Sequence, residues 1–172
     1  VKLGEKLGSD TKEIQRLQIR ETIKNHLYRQ EQLKDKGIKV LSLFFIDKVD
    51  NYLNDGILQK FFNEEFNNCK NDYADFKNLE PENIRNGYFS KMKTDKSMKN
   101  DSEAFNLIMK DKEKLLSFSE DTSFIFSHSA LREGWDNPNV FNICTLNQSI
   151  SNIKKRQEIG RGLRLPVNQN EI

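Results

Sequence analysis

The run Ile38-Lys39-Val40-Leu41-Ser42-Leu43-Phe44-Phe45-Ile46 is apolar at nearly every position, with Lys39 and Ser42 the exceptions. An alternating strand leaves one face to water, whereas this segment needs cover on both faces. A central strand of a parallel sheet, layered above and below by helices, meets that need. Two further apolar runs have the same character. Phe124-Ile125-Phe126 and Val140 to Leu146 flank a polar loop that contains Gly134 and the Asn137-Pro138 step, a strand–loop–strand layout.

Helical patterns separate these strands. Asp10 to Lys36 reads as a helix, with Asp10 as its cap, Glu13 three residues on and Gly37 as its stop. Ile19, Ile23 and Leu27 form its apolar stripe, which Ile14 and Leu17 extend less regularly. Asp47 to Cys69 returns to helical period through Leu58, Phe62, Phe66 and Cys69, although Gly56 inside it costs about 1 kcal/mol. Ser102 to Phe118 reads as a third helix and Ser151 to Gly160 as a fourth. The stretch 70–101 is polar and rich in Asn, Asp, Lys and Ser, with Gly87-Tyr88-Phe89 as a short strand. It is expected to be a mobile insertion, with Lys91, Lys93, Lys96 and Lys99 solvated rather than facing a ligand. Alternating strands and helices predict one α/β domain over 1–172, an open, mostly parallel sheet with helices on both faces. Ligands of such sheets sit beyond the carboxyl ends of the strands. The loops after Ile46, Phe126 and Leu146 are therefore expected on one working edge.

Chemistry concentrates near the end of the chain. In Gln157-Glu158-Ile159-Gly160-Arg161-Gly162-Leu163-Arg164 two arginines stand three apart behind a helical run. That spacing puts both guanidiniums on one helix face, and the intervening glycines keep no side chain in the way. A planar, permanently charged fork suits a phosphate. The upstream segment Ala130-Leu131-Arg132-Glu133-Gly134-Trp135-Asp136-Asn137-Pro138-Asn139-Val140-Phe141 lies in the loop between two predicted strands.

Together these segments resemble motifs V and VI of superfamily two helicases and translocases. The wording ALREGWDNPNVF followed by QEIGRGLR looks like the helicase (Res) subunit of type III restriction enzymes, and Ile38 to Asp47 is similar to that family's motif IV strand. The resemblance implies a RecA-like lobe, the second of two, that closes over ATP and Mg²⁺ held mainly by the first. It implies that Arg161 and Arg164 reach the γ-phosphate as arginine fingers and that Gln157, Gly134 and Asp136 lie close to the nucleotide. Many superfamily members carry Thr-Asp where this chain has His128-Ser129. Ser129, His128 and, after the motif IV strand, Lys48 are the candidates for nucleic-acid contact, although a lone His such as His128 is more often a packed or capping residue. Trp135 suits either a stacking contact or a packed loop anchor. Double-stranded DNA and a methyltransferase (Mod) subunit are the implied partners, and the cytoplasm the implied compartment.

The chain has no G-x-x-x-x-G-K-[ST] cradle for a triphosphate. It is thus expected to behave as one lobe of a larger motor and to hydrolyse no ATP by itself. A net charge of +2 gives no bulk attraction to DNA, so any contact must come from a local patch. Cys69, Cys144, His26 and His128 have no metal-ligand spacing, and reduced, buried thiols are expected. No apolar run approaches membrane-spanning length. A lobe of another superfamily two helicase, on DNA or RNA, and a non-catalytic α/β binding module are the competing readings.

Overall fold

The computed structural model describes residues 3–89, 103–128 and 137–146. Four strands form one all-parallel sheet: β1 (Leu41–Phe45), β2 (Arg85–Tyr88), β3 (Phe124–Ser127) and β4 (Val140–Thr145), in the order β2-β3-β1-β4. Helices α1 (Leu3–Leu33) and α2 (Ile57–Cys69) cover one face. A π-helical turn (Asn106–Lys110) and the short α4 (Lys112–Leu116) cover the other, while the one-turn α3 (Pro81–Ile84) leads into β2. This is the three-layer α/β architecture expected, and it is consistent with a RecA-like fold.

Period-2 alternation divides the strands between two cores. Phe44, Ile46, Phe124, Phe126, Cys144 and Leu146 pack toward α1 and α2. Leu41, Leu43, Phe45, Ile125 and Val140 meet Ile108, Leu115 and Leu116 on the far side. Parallel register sets Phe44 beside both Phe126 and Cys144. The Phe44 and Phe126 rings stack at 4.6 Å, and Phe62 of α2 meets Phe124 edge-on at 4.9 Å.

The polar exceptions in the first strand are each paired. Ser42 Oγ lies 2.7 Å from His26 Nδ1 and accepts from Asn142 Nδ2 at 3.0 Å. Lys39 turns its ammonium into the main-chain carbonyls of Leu115, Ser117 and Glu120. The strand begins at Leu41 rather than Ile38, because Gln30 of α1 takes the preceding backbone groups: its Nε2 donates to Ile38 O at 3.0 Å, and its Oε1 accepts from Val40 N at 2.7 Å.

Several boundaries differ from those expected. Helix α1 starts at Leu3, so Asp10 lies inside it rather than at its start; an interior Asp costs well under ~1 kcal/mol. Its buried face is Gln15, Ile19, Ile23, His26, Leu27 and Gln30, while Ile14 and Leu17 point outward at 56% and 52% exposure. Gly37 stops the helix as expected, with φ of 68°. The predicted 47–69 helix breaks at Gly56, which is its N-cap. A Cβ there would lie 2.4 Å from the main-chain carbonyl of Asn51, so only glycine fits. The predicted 102–118 helix breaks at Asp111, whose carboxylate accepts from Lys114 N and starts α4 afresh. Up to Phe89, the expected polar insertion is an integral part of the fold, with Phe76 and Ile84 buried and β2 completing the sheet. Its four lysines and the predicted 151–160 helix lie outside the described residues.

Two ion pairs join α1 to α2 within the helical layer on one face of the sheet. Glu65 of α2, 1% exposed, accepts from Arg16 Nε and Arg20 Nε of α1, both at 2.6 Å. The hydrogen bond from Arg20 chiefly holds its carboxyl below the usual range, against the effect of burial. Both thiols are free; Cys144 is buried, its pKa pushed up to about 11 by desolvation, and Cys69 is half-buried. No described helix is long and apolar enough to cross a membrane.

His26 makes the fold acid-sensitive. Burial, and secondarily the charge of Lys39, lowers its pKa from 6.5 to about 3. Between those values the unfolded chain binds a proton that the native chain refuses, so stability falls as pH falls through 6.5 toward 3, by up to about 1.4 kcal/mol per pH unit. Glu65 adds its own loss only at lower pH, once its carboxyl protonates. Urea unfolding between pH 7 and pH 5 is expected to show this slope in the parent and a much flatter one in His26→Phe; parallel profiles would refute the assignment.

Candidate functional site at the carboxyl edge of the sheet

Because every strand runs the same way, Phe45, Tyr88, Ser127 and Thr145 end side by side. The ladder continues one step further: Ile46 N donates to Ser127 O at 2.9 Å and Leu146 N to Phe45 O at 2.8 Å. The chain segments leaving β1, β3 and β4 therefore emerge on one edge, as the pattern of strands and helices predicts.

On that edge Asp47 is half-buried and accepts from Asn51 Nδ2 at 3.3 Å, and Lys48 follows in extended conformation with its side chain exposed. His128, the first residue after β3, is also exposed. Lys48 and His128 thus leave from adjacent strands and offer two polar, solvent-facing groups. Ser129, Gly134, Trp135, Asp136, Gln157, Arg161 and Arg164 lie outside the described residues.

A compact loop holds Lys48 in place. Val49–Asn51 form a 3₁₀ turn, and Asn54 and Asp55 follow with φ of 51° and 57°, the left-handed region that Asn and Asp tolerate best among residues with a side chain. The buried Tyr52 anchors the loop. Its ring lies 4.6 Å from Phe126 and 5.4 Å from Phe89, and its hydroxyl accepts from Arg85 Nη1 at 3.1 Å. Arg85 also donates through Nε to Asn63 Oδ1 at 2.9 Å, locking its fork between two layers. Burial raises the Tyr52 pKa, and the neighbouring Arg85 opposes that shift, so the phenol stays protonated at neutral pH.

The end of β4 has its own brace. Buried Gln15 of α1 donates from Nε2 to Leu146 O at 2.8 Å, at the last described residue before the segment that carries Gln157, Arg161 and Arg164. Neither Gln15 nor the Tyr52–Arg85 pair was legible as a site feature. No short-range spacing marks them; Asp47-x-x-x-Asn51 was the one local signal available.

Chemically, this edge can meet an anion with an ammonium and an imidazole. Among the described residues no group of three or more His, Cys, Asp or Glu is placed to hold a metal ion, so no Mg²⁺ ligand is assigned to them.

No protein-family profile matches the chain. It is 44% identical, over 88% of its length, to the type III restriction-modification enzyme EcoP15I Res subunit of Escherichia coli. To the EcoPI Res subunit of Escherichia phage P1 it is 40% identical over 88%, and to the StyLTI Res subunit of Salmonella typhimurium 38% over 77%. The alignments take up 17%, 17% and 16% of those proteins, so the chain spans about a sixth of the relatives it matches.

Proposed function

From the homology of this chain to one segment of type III restriction-modification Res subunits, we propose that it serves as the second motor lobe of an ATP-dependent DNA translocase or helicase. The identity to three Res subunits, 38–44%, is the observation that carries this reading. The shared carboxyl edge supports it, since a lobe that closes over a nucleotide must present its motif loops on one side.

In this reading ATP and Mg²⁺ are held mainly by a companion lobe that has the phosphate cradle this sequence lacks. Bound there, they supply the phosphoryl group and the charge that stabilises its transfer. Arg161 and Arg164 approach the γ-phosphate across the cleft, and Gln157, Gly134 and Asp136 face the nucleotide. Lys48, His128 and Ser129 contact the backbone of double-stranded DNA. The working enzyme pairs with a Mod methyltransferase subunit, which reads sequence, and acts in the cytoplasm. The 172-residue chain on its own turns over no ATP.

Duplex binding by the chain tests the DNA side of this reading. Affinity is expected to be weak, independent of sequence and steeply reduced by salt, because phosphate contacts release counterions. Lys48→Ala is expected to lower the log–log salt slope by about 1 for a single lost phosphate contact. Tight, salt-resistant binding to one sequence would point to a specificity module instead.

A further inference from the structure

At the opposite, amino edge of the sheet a cavity of about 360 Å³ opens between the end of α1, the 73–84 segment and the loop that precedes β3. That volume falls in the range of small-ligand pockets, about 300–1,000 Å³. Its walls are apolar and aromatic: Phe76, Leu79, Ile84 and Phe118, the last 43% exposed and so available to a visitor.

The charges around it are unequal in their commitments. Lys34 is held by Asp75 through two contacts at 2.6 and 2.7 Å. The Lys39 ammonium is turned into three main-chain carbonyls. Two further carboxylates, Glu120 and Asp121, line the cavity. One oxygen of Glu120 accepts from Thr122 N at 3.1 Å, while the exposed Asp121 side chain makes no hydrogen bond among the described residues. Lys39 also interacts electrostatically with Glu120 and Asp121, so the lining, with three carboxylates against two ammoniums, has a surplus of one negative charge beside an aromatic wall. An anionic ligand such as a nucleic acid is disfavoured there, and a cation with a flat or apolar body is favoured.

We propose that this cavity receives an arginine side chain from a basic segment of a protein partner, its guanidinium paired with Asp121 and Glu120 and its face against Phe118. Arginine fits better than lysine because its weakly hydrated plane stacks on aromatic rings and forks onto carboxylates. The proposal stands independently of the motor reading, since it rests on the amino edge of the sheet, opposite the carboxyl ends of the strands. It gives the lobe two ends of different use, with nucleic acid and nucleotide at the carboxyl edge and a protein at the amino edge.

Amide chemical shifts of the ¹⁵N-labelled chain test it, with N-acetyl-arginine amide as the probe. Saturable shifts are expected in 118–123 and 76–79. N-acetyl-citrulline amide, isosteric and uncharged, is expected to bind about tenfold more weakly, the value of one charge-assisted contact. Asp121→Asn and Phe118→Ala, both at exposed positions, are each expected to weaken the arginine probe without altering the remaining spectrum. Equal affinity for the two probes, or undiminished binding in both variants, overturns the proposal. So does saturable filling by toluene that arginine amide cannot displace, which would make the cavity a purely apolar site. Shifts in these segments that follow protein concentration without any probe would instead assign the face to a second copy of this chain.

Discussion

Replacing Arg161 or Arg164 by alanine in an assembled motor that contains this lobe is expected to reduce DNA-stimulated ATP turnover by about 10³-fold or more, the scale of a lost arginine finger. A phosphoryl group in flight spreads negative charge over its equatorial oxygens, and a guanidinium aimed at that position contributes most in the transition state. Ground-state affinity for ATP is expected to change far less, because the companion lobe supplies most of it, so kcat falls while KM moves little. Lysine is expected to rescue poorly, since a point charge lacks the fork. Steady-state phosphate release measured for both variants, with circular dichroism to verify folding, decides the matter. Wild-type rates in both would end the arginine-finger assignment.

The largest effect on stability is expected at Phe124. Its ring is fully buried and lies 4.1 Å from His26, 4.9 Å from Phe62 and 6.3 Å from both Phe44 and Phe66. Truncation to alanine removes the ring that joins β3 to both α1 and α2, and a rigid surround collapses only partly into the gap. Phe124→Ala is expected to cost about 3–5 kcal/mol, a large share of the roughly 5–15 kcal/mol that holds a domain of this kind together. The urea midpoint should fall sharply at unchanged m-value. Tyr28→Ala, at a position 57% exposed, is expected to stay within about 0.5 kcal/mol of the parent. A Phe124→Ala midpoint close to that of Tyr28→Ala would mean that the aromatic cluster is not the cohesive centre of the fold.

The central strand was legible because β1 is buried at all five positions, a condition visible in an unbroken apolar run. Gly37 was legible as a stop because glycine is the residue most favoured at a left-handed cap. The convergence of Lys48 and His128 on one edge followed from parallel topology, which the alternation of element types already implied. Of the 70–89 segment only the short strand at Gly87-Tyr88-Phe89 was legible, overlapping β2 at Arg85–Tyr88. Tyr73, Phe76 and Leu79 recur every three residues, but in short turns rather than a helix, and with Ile84 they pack into the core shared with α1 and α2. The outward turn of Ile14 and Leu17 is of the same kind. Periodicity permitted either face, and Gln15, His26 and Gln30 won the buried side through specific hydrogen bonds to other elements.

What this sequence determined by itself is whatever a few neighbouring residues can encode: which stretches demand cover on both faces, where a helix must stop, and which short motifs resemble the Res subunits to which the chain proved homologous. Tertiary structure alone decided how buried polar groups are matched. The brace from Gln15 to Leu146 joins residues 131 positions apart, and that from Arg85 to Tyr52 joins residues 33 apart. A buried amide or a half-buried guanidinium must find a partner wherever packing brings one, and no local pattern records where that will be. The same reason hid the amino-edge cavity, whose walls come from segments that meet only once the sheet has closed.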